Sequence, residues 1–208
     1  MKPFKYQTRT PNLPRISPIR GAIPEWYRGD IDSAMKQCVP FLDAMTVGFA
    51  MPLIADVFVS DTGEITWDAK QTIVDTNRQN AAMPAPSGHG EKNYSWRIYT
   101  SWLLPEGYSA IVTHPLNRFD LPFTTSSGIV DGSFVTQGGN YPFFLKEGFV
   151  GTIPAGTPIA QIIPFKQDDW ELQETEGLIE QGEENRRLSS VEYPGWYKRE
   201  FWKKKVYK

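Results

Sequence analysis

Residues 107–135 read GYSAIVTHPLNRFDLPFTTSSGIVDGSFV, and residues 151–165 read GTIPAGTPIAQIIPF. Short apolar runs alternate with turn residues in both. Strands are expected at 108–113, 128–135, 141–146 and 158–165. Turns fall at Gly138-Gly139, Glu147-Gly148 and Pro154-Ala155-Gly156. Working outward, 53–60, 64–67 and 97–104 also read as strands, and Asp61-Thr62-Gly63 and Pro105-Glu106-Gly107 as turns. Residues 71–80 are polar and β-branched, and 83–90 is a loop by composition. With 17 Gly and 17 Pro in 208 residues, a helical bundle is excluded and a sandwich or barrel of short strands is expected.

The best helix candidate lies in 33–50, SAMKQCVPFLDAMTVGFA. Pro40 suits a first turn and Gly48 limits the length, so one short buried helix is expected near 40–50. Residues 1–30 carry Pro3, Pro11, Pro14, Pro18 and Pro24 between apolar side chains, as an extended arm lying on a surface would. Residues 168–184 hold eight acids and no basic residue and read as a solvated helix weakened by Gly177 and Gly182. The last sixteen residues, YPGWYKREFWKKKVYK, interleave aromatics with lysines. The organisation is thus an N-terminal arm (1–30), a β-rich core (31–166), and an acidic segment with a basic–aromatic tail (167–208).

Net charge is −2, unevenly distributed. Residues 1–20 and 194–208 hold 11 of the 22 basic residues and one of the 24 acids, leaving the body at −12. Basic ends on an acidic body are expected to dock on neighbouring subunits, with Trp26, Tyr27, Trp196, Phe201 and Trp202 as interface anchors. The tail could also stack on single-stranded nucleic acid, but the acidic body argues against such a partner. Cys38 is the only cysteine, so no intrachain disulfide forms and no Cys-based metal site exists. His89 and His114 are too few for a histidine-rich one. No segment has the length of a membrane span and the N-terminus lacks a signal-like apolar run, so a soluble protein with a reducing, intracellular site of synthesis is expected.

The run Leu104-Pro105-Glu106-Gly107-Tyr108, then Gly128-Ile129-Val130-Asp131, then Gly156-Thr157-Pro158-Ile159-Ala160-Gln161 resembles, in order and spacing, the dUTPase and dCTP deaminase superfamily over about 60 of the 208 residues. The resemblance implies a β-clip or jelly-roll-like barrel and a homotrimer. It implies that Asp131 orients an attacking water, that Phe134 stands where the family has a Tyr against deoxyribose, and that Gln161 lines the pocket. Arg118 would be the phosphate contact and Mg²⁺ the cofactor if the chain were an enzyme.

The departures weigh against that. Where the family has Arg-Ser-Gly or Arg-Ser-Ser, this chain has His114-Pro115-Leu116-Asn117-Arg118. The tail lacks the Gly-rich closing motif, and residues 132–146 contain no Glu for deaminase chemistry. Phosphoryl transfer depends on such donors, so no catalytic residue and no cofactor are expected, with Asp131 the one candidate. Pro24-Glu25-Trp26-Tyr27, Pro40-Phe41-Leu42-Asp43-Ala44-Met45-Thr46, His114-Pro115-Leu116-Asn117-Arg118 and Lys198-Arg199-Glu200-Phe201-Trp202 together resemble a protein family of large tailed bacteriophages, from which no activity carries over. The expectation is a non-enzymatic phage structural or assembly protein residing in the virion: a decoration, cement or connector component that binds other phage structural proteins and itself. The alternatives are a deoxynucleotide-binding or -hydrolysing enzyme and a phage regulator that binds a host protein.

Overall fold

The computed structural model describes residues 1–29, 33–76, 83–132, 139–192 and 195–208. The described chain is mainly β. Its strands are β1 (Lys5–Thr8), β2 (Ser17–Pro18), β3 (Phe49–Pro52), β4 (Val57–Val59), β5 (Ile65–Trp67), β6 (Val74–Asp75), β7 (His89–Arg97), β8 (Thr100–Leu103), β9 (Tyr108–Thr113), β10 (Phe123–Thr125), β11 (Gly128–Asp131), β12 (Asn140–Lys146), β13 (Gly151–Ile153) and β14 (Pro158–Lys166). The helices are α1 (Glu25–Arg28), α2 (Ser33–Gln37), α3 (Val39–Thr46), α4 (Leu178–Arg187) and α5 (Trp196–Glu200).

All strand pairs are antiparallel, in four sheets with orders β11-β9-β14-β3-β2, β10-β12-β7-β6, β13-β4-β5 and β1-β8. Among the described residues no sheet closes into a barrel. Alternation explains the layering. Ala110, Val112, Ala160 and Ile162 of the five-stranded sheet and Trp96, Phe123 and Phe143 of the four-stranded sheet enter one continuous core. Trp96 stacks on Phe143 at 3.7 Å and meets Phe123 edge-on at 5.1 Å. Such ring pairs add about 0.5–1.5 kcal/mol each beyond area burial. The Thr125 hydroxyl bonds the Ile159 carbonyl at 2.6 Å, joining the two sheets.

Three expectations are refined. The helix near 40–50 is shorter: α3 ends at Thr46, only its Met45 is fully buried, and 49–52 is already strand β3. Gly48 enforces the break. It sits at φ +79°, and a Cβ there would stand 2.2 Å from the Ile162 carbonyl oxygen. In the acidic segment, helix begins only at Leu178 and buries no side chain. Close-spaced like charges without an apolar face do not sustain a helix. Finally, β7 runs from His89 to Arg97, within and before a stretch read as loop and strand start. The strand expected over 128–135 is seen as Gly128–Asp131; residues 133–138, Phe134 among them, lie outside the described residues.

Gly48→Ala is expected to lower unfolding free energy by about 2–4 kcal/mol, because the new methyl meets backbone and the φ is unfavourable. Urea unfolding of the two proteins measures it.

Candidate functional site

Gln161 lies mid-strand on β14 and is 0% exposed. Its amide nitrogen donates to the carbonyls of Ala44 (2.9 Å) and Val47 (2.7 Å), at the C-terminal end of α3. Its amide oxygen accepts the Leu116 backbone N–H at 2.8 Å. These three bonds tie sheet, helix and the 114–121 loop together. They also satisfy carbonyls that a helix end leaves open. No hydrogen of the amide is left for a ligand.

Arg118 is equally engaged. Its guanidinium forks onto the Asp120 carboxylate at 2.9 and 2.8 Å and donates to the Ala22 carbonyl at 2.9 Å. Asp120 also accepts the Trp26 indole N–H at 3.2 Å. Burial pushes the Asp120 carboxyl up, but the bonds and charge of Arg118 together with the Trp26 bond outweigh it and hold it below 3.8. The loop turns at Asn117, at φ 60°, whose side chain reaches the Phe41 carbonyl; Asn tolerates this conformation. His114 fixes the other side. Its Nδ1 accepts the Thr125 backbone N–H, so the proton sits on Nε2, which donates to the Arg118 carbonyl. Burial, helped by the charges of Arg118 and Lys146, pushes the imidazole below 6.5.

Asp131, at the end of β11, is exposed. It accepts the Ser109 hydroxyl at 2.9 Å and the Gln167 amide at 3.3 Å. It does not meet the other candidates. Asp131 pairs with Ser109 and Gln161 with Thr113, four residues apart on β9. At about 3.3 Å per residue that is roughly 13 Å along the strand. An open hollow of about 460 Å³ lies beside Asp120, lined by Leu121, Lys146, Phe149 and Ile153 among others. None of Asp131, Gln161 and Arg118 lines it. Among the described residues no group of three or more His, Cys, Asp or Glu could hold a metal ion, and no helix is long and apolar enough to cross a membrane.

Comparisons with known proteins bear on fold alone. No family model matches the chain, and no curated protein matches it. Among solved structures, a point variant of the dUTPase of Staphylococcus bacteriophage 80alpha is 10% identical, with 85% of this chain and 98% of that one covered and a TM-score of 0.44. The dUTPase of phage phi11 of S. aureus is 15% identical over 50% of this chain and 95% of that one, at a TM-score of 0.30. Both values lie below 0.5, so function has to be read from this chain's own residues.

Three of the five anchors, Trp26, Tyr27 and Trp202, gather on α3 of their own chain. Tyr27 is buried and stacks on Phe41 at 6.0 Å, and Trp26 meets Phe41 edge-on at 6.3 Å. From the other end, the Trp202 indole and the Lys205 ammonium both donate to one Asp43 oxygen, at 2.8 and 2.5 Å. Tyr207 caps Phe49 at 5.6 Å. Trp196 and Phe201 pair with each other at 4.9 Å, and Phe201 remains exposed. Asp43 was not singled out in the sequence. Its signal is that it is the one charge on the apolar stretch 39–46 of a chain that ends in Trp and Lys.

Two outcomes follow from this geometry. Gln161→Leu strands one N–H and two carbonyls at about 1–3 kcal/mol each. It should therefore cost about 3 kcal/mol or more in chemical denaturation. An intact stability would contradict the structural role. For His114, the unfolded chain takes up a proton below about pH 6.5 whereas the folded chain resists it. The His114 contribution to stability is therefore complete above that pH and is lost as pH falls through the lowered folded value. Asp120, held low, adds a loss in the same direction at more acid pH. His114→Asn should flatten the stability profile between about pH 7 and 5, read from unfolding midpoints across that range.

Proposed function

We propose that this chain is a non-enzymatic structural or assembly protein of a tailed bacteriophage, a decoration, cement or connector component that works by docking. The observation that carries the reading is the commitment of Gln161 and Arg118. Gln161 spends its amide on backbone and Arg118 bonds Asp120 and the Ala22 carbonyl, all in their own chain, and Gln161 lies roughly 13 Å in strand register from Asp131. A transition-state site needs donors free and aimed at the reacting group. The Gln161 donors are both engaged, and Gln161 does not converge with Asp131.

The remainder of the chain has the features of a docking protein. Basic and aromatic ends carry anchors that seat on an acidic, aromatic surface, as Trp202 and Lys205 do on Asp43. An exposed acidic strap, 168–187, separates the body from the seated tail and has no buried residue. The same anchors suit copies of this chain and neighbouring structural proteins, and the phage setting rests on the sequence pattern around 24–27, 40–46 and 198–202. No cofactor belongs to this reading.

Mass spectrometry of particles purified from infected cells tests it. The protein is expected at a stoichiometry of many copies per virion. Absence from particles, with recovery on a host protein, would replace this reading with that of a regulator.

A further inference from the structure

Residues 2–5 and 202–208 lie far apart in sequence, yet the fold brings them together. The Phe4 ring packs on Phe49 at 4.5 Å, and the Tyr207 ring meets the same Phe49 ring edge-on at 5.6 Å. Phe4 also stacks on Trp102 at 5.7 Å, and the Trp202 indole is bonded to Asp43. Packing of these rings fixes both stretches beside each other. The rings turn toward the body, and the lysines next to them in sequence stay exposed: Lys5 after Phe4, Lys203 and Lys204 after Trp202, and Lys208 after Tyr207.

The patch so formed is short of acids. Lys205 is paired with Asp43, and Lys2 lies over the Tyr108 ring at 5.7 Å. Lys5, Lys203, Lys204 and Lys208 have no bond or ion-pair partner among the described residues. The elements beneath them, β1, α3, β3 and β8, hold Asp43 as their one acid, and Glu200 borders the tail. Uncompensated ammonium groups gathered in one place attract a polyanion. Exposed rings alternate with them. Tyr6 follows Lys5, and Phe201, with Tyr197 stacked on it at 6.4 Å, stands two residues before Lys203. Such rings offer their faces to unpaired bases. The acidic body opposes a strand lying along the whole molecule, but its densest acids, eight of them in 168–184, lie outside the stretches that make the patch.

We propose that Lys5, Lys203, Lys204 and Lys208, with Tyr6 and Phe201, form a site for single-stranded nucleic acid, the lysines on phosphates and the rings on bases. Trp202 and Tyr207 hold the tail in place before a strand arrives, so binding does not bear the cost of ordering it. Both stretches contribute, so the site belongs to the folded chain. The inference goes beyond the docking reading and does not rest on it: presence in virions judges that reading, and strand binding judges this one.

The test is fluorescence anisotropy of a labelled oligothymidylate about 16 nucleotides long, titrated with the full chain at several salt concentrations. Four ammonium contacts predict a slope of log affinity against log salt of about −2.8. Lys203→Gln combined with Lys204→Gln should make it shallower by about 1.4, and Lys5→Gln alone by about 0.7, each lost contact weakening binding about fivefold at 0.1 M salt. Phe201→Ala should weaken binding at least about fivefold with the slope unchanged. All these side chains are exposed, and circular dichroism checks that the variants fold. Absence of binding at low salt overturns the site. Binding indifferent to Lys5→Gln overturns the shared patch, and binding indifferent to Phe201→Ala overturns the stacking on bases. Equal affinity for polyglutamate of the same charge also overturns the assignment and hands the patch to an acidic protein.

Discussion

The amide of Gln161 is the interaction on which the other parts depend. Burying a primary amide is costly unless its hydrogen bonds are made, and here three are made, two to the C-terminal end of α3 and one to the 114–121 loop. Because β14 is the central strand of its sheet, the amide fixes α3 on the sheet and holds the 114–121 loop against both. Once α3 is placed, it presents Phe41 to Trp26 and Tyr27, and Asp43 to Trp202 and Lys205. Both ends of the chain thus meet on a helix that an internal side chain holds down.

The same three bonds say what the glutamine of the Gly-x-x-Ile-Ala-Gln run does in this chain. The sequence Gly-x-x-Ile-Ala-Gln places a glutamine at a position from which it can face either a ligand or the protein's own backbone. In this chain the backbone has claimed it. Arg118 has likewise been drawn inward, to Asp120 and the Ala22 carbonyl. Apolar side chains also stand exposed: Ile129, Ile111 and Phe165 on the sheet, and Trp170 and Leu172 on the acidic strap.

Much of this was legible in the residues. The turns at Glu147-Gly148 and Pro154-Ala155-Gly156, with the alternation between them, placed β12 and β14 to within a residue. Gly48 marked the end of the helix for a reason the structure makes explicit. Other features could not be read. Only Tyr94 and Trp96 signal β7 within Glu-Lys-Asn-Tyr-Ser-Trp, because Asn93 and Ser95, though buried, are polar and resemble a loop. The two-residue and three-residue strands β6 and β10 are too short for periodicity to register. At the candidate site, sequence order put Asp131, Arg118 and Gln161 in one motif set. Only strand register shows that Asp131 and Gln161 sit at opposite ends of β9.

The central claim is that these residues hold a fold rather than a nucleotide. Thermal unfolding of the wild-type chain with each deoxynucleoside triphosphate and Mg²⁺ tests it most directly. The account predicts an unfolding temperature that none of them raises, and an Asp131→Asn variant that behaves as the wild type does. A rise with one nucleotide that disappears in Asp131→Asn would contradict it and return the chain to enzyme chemistry.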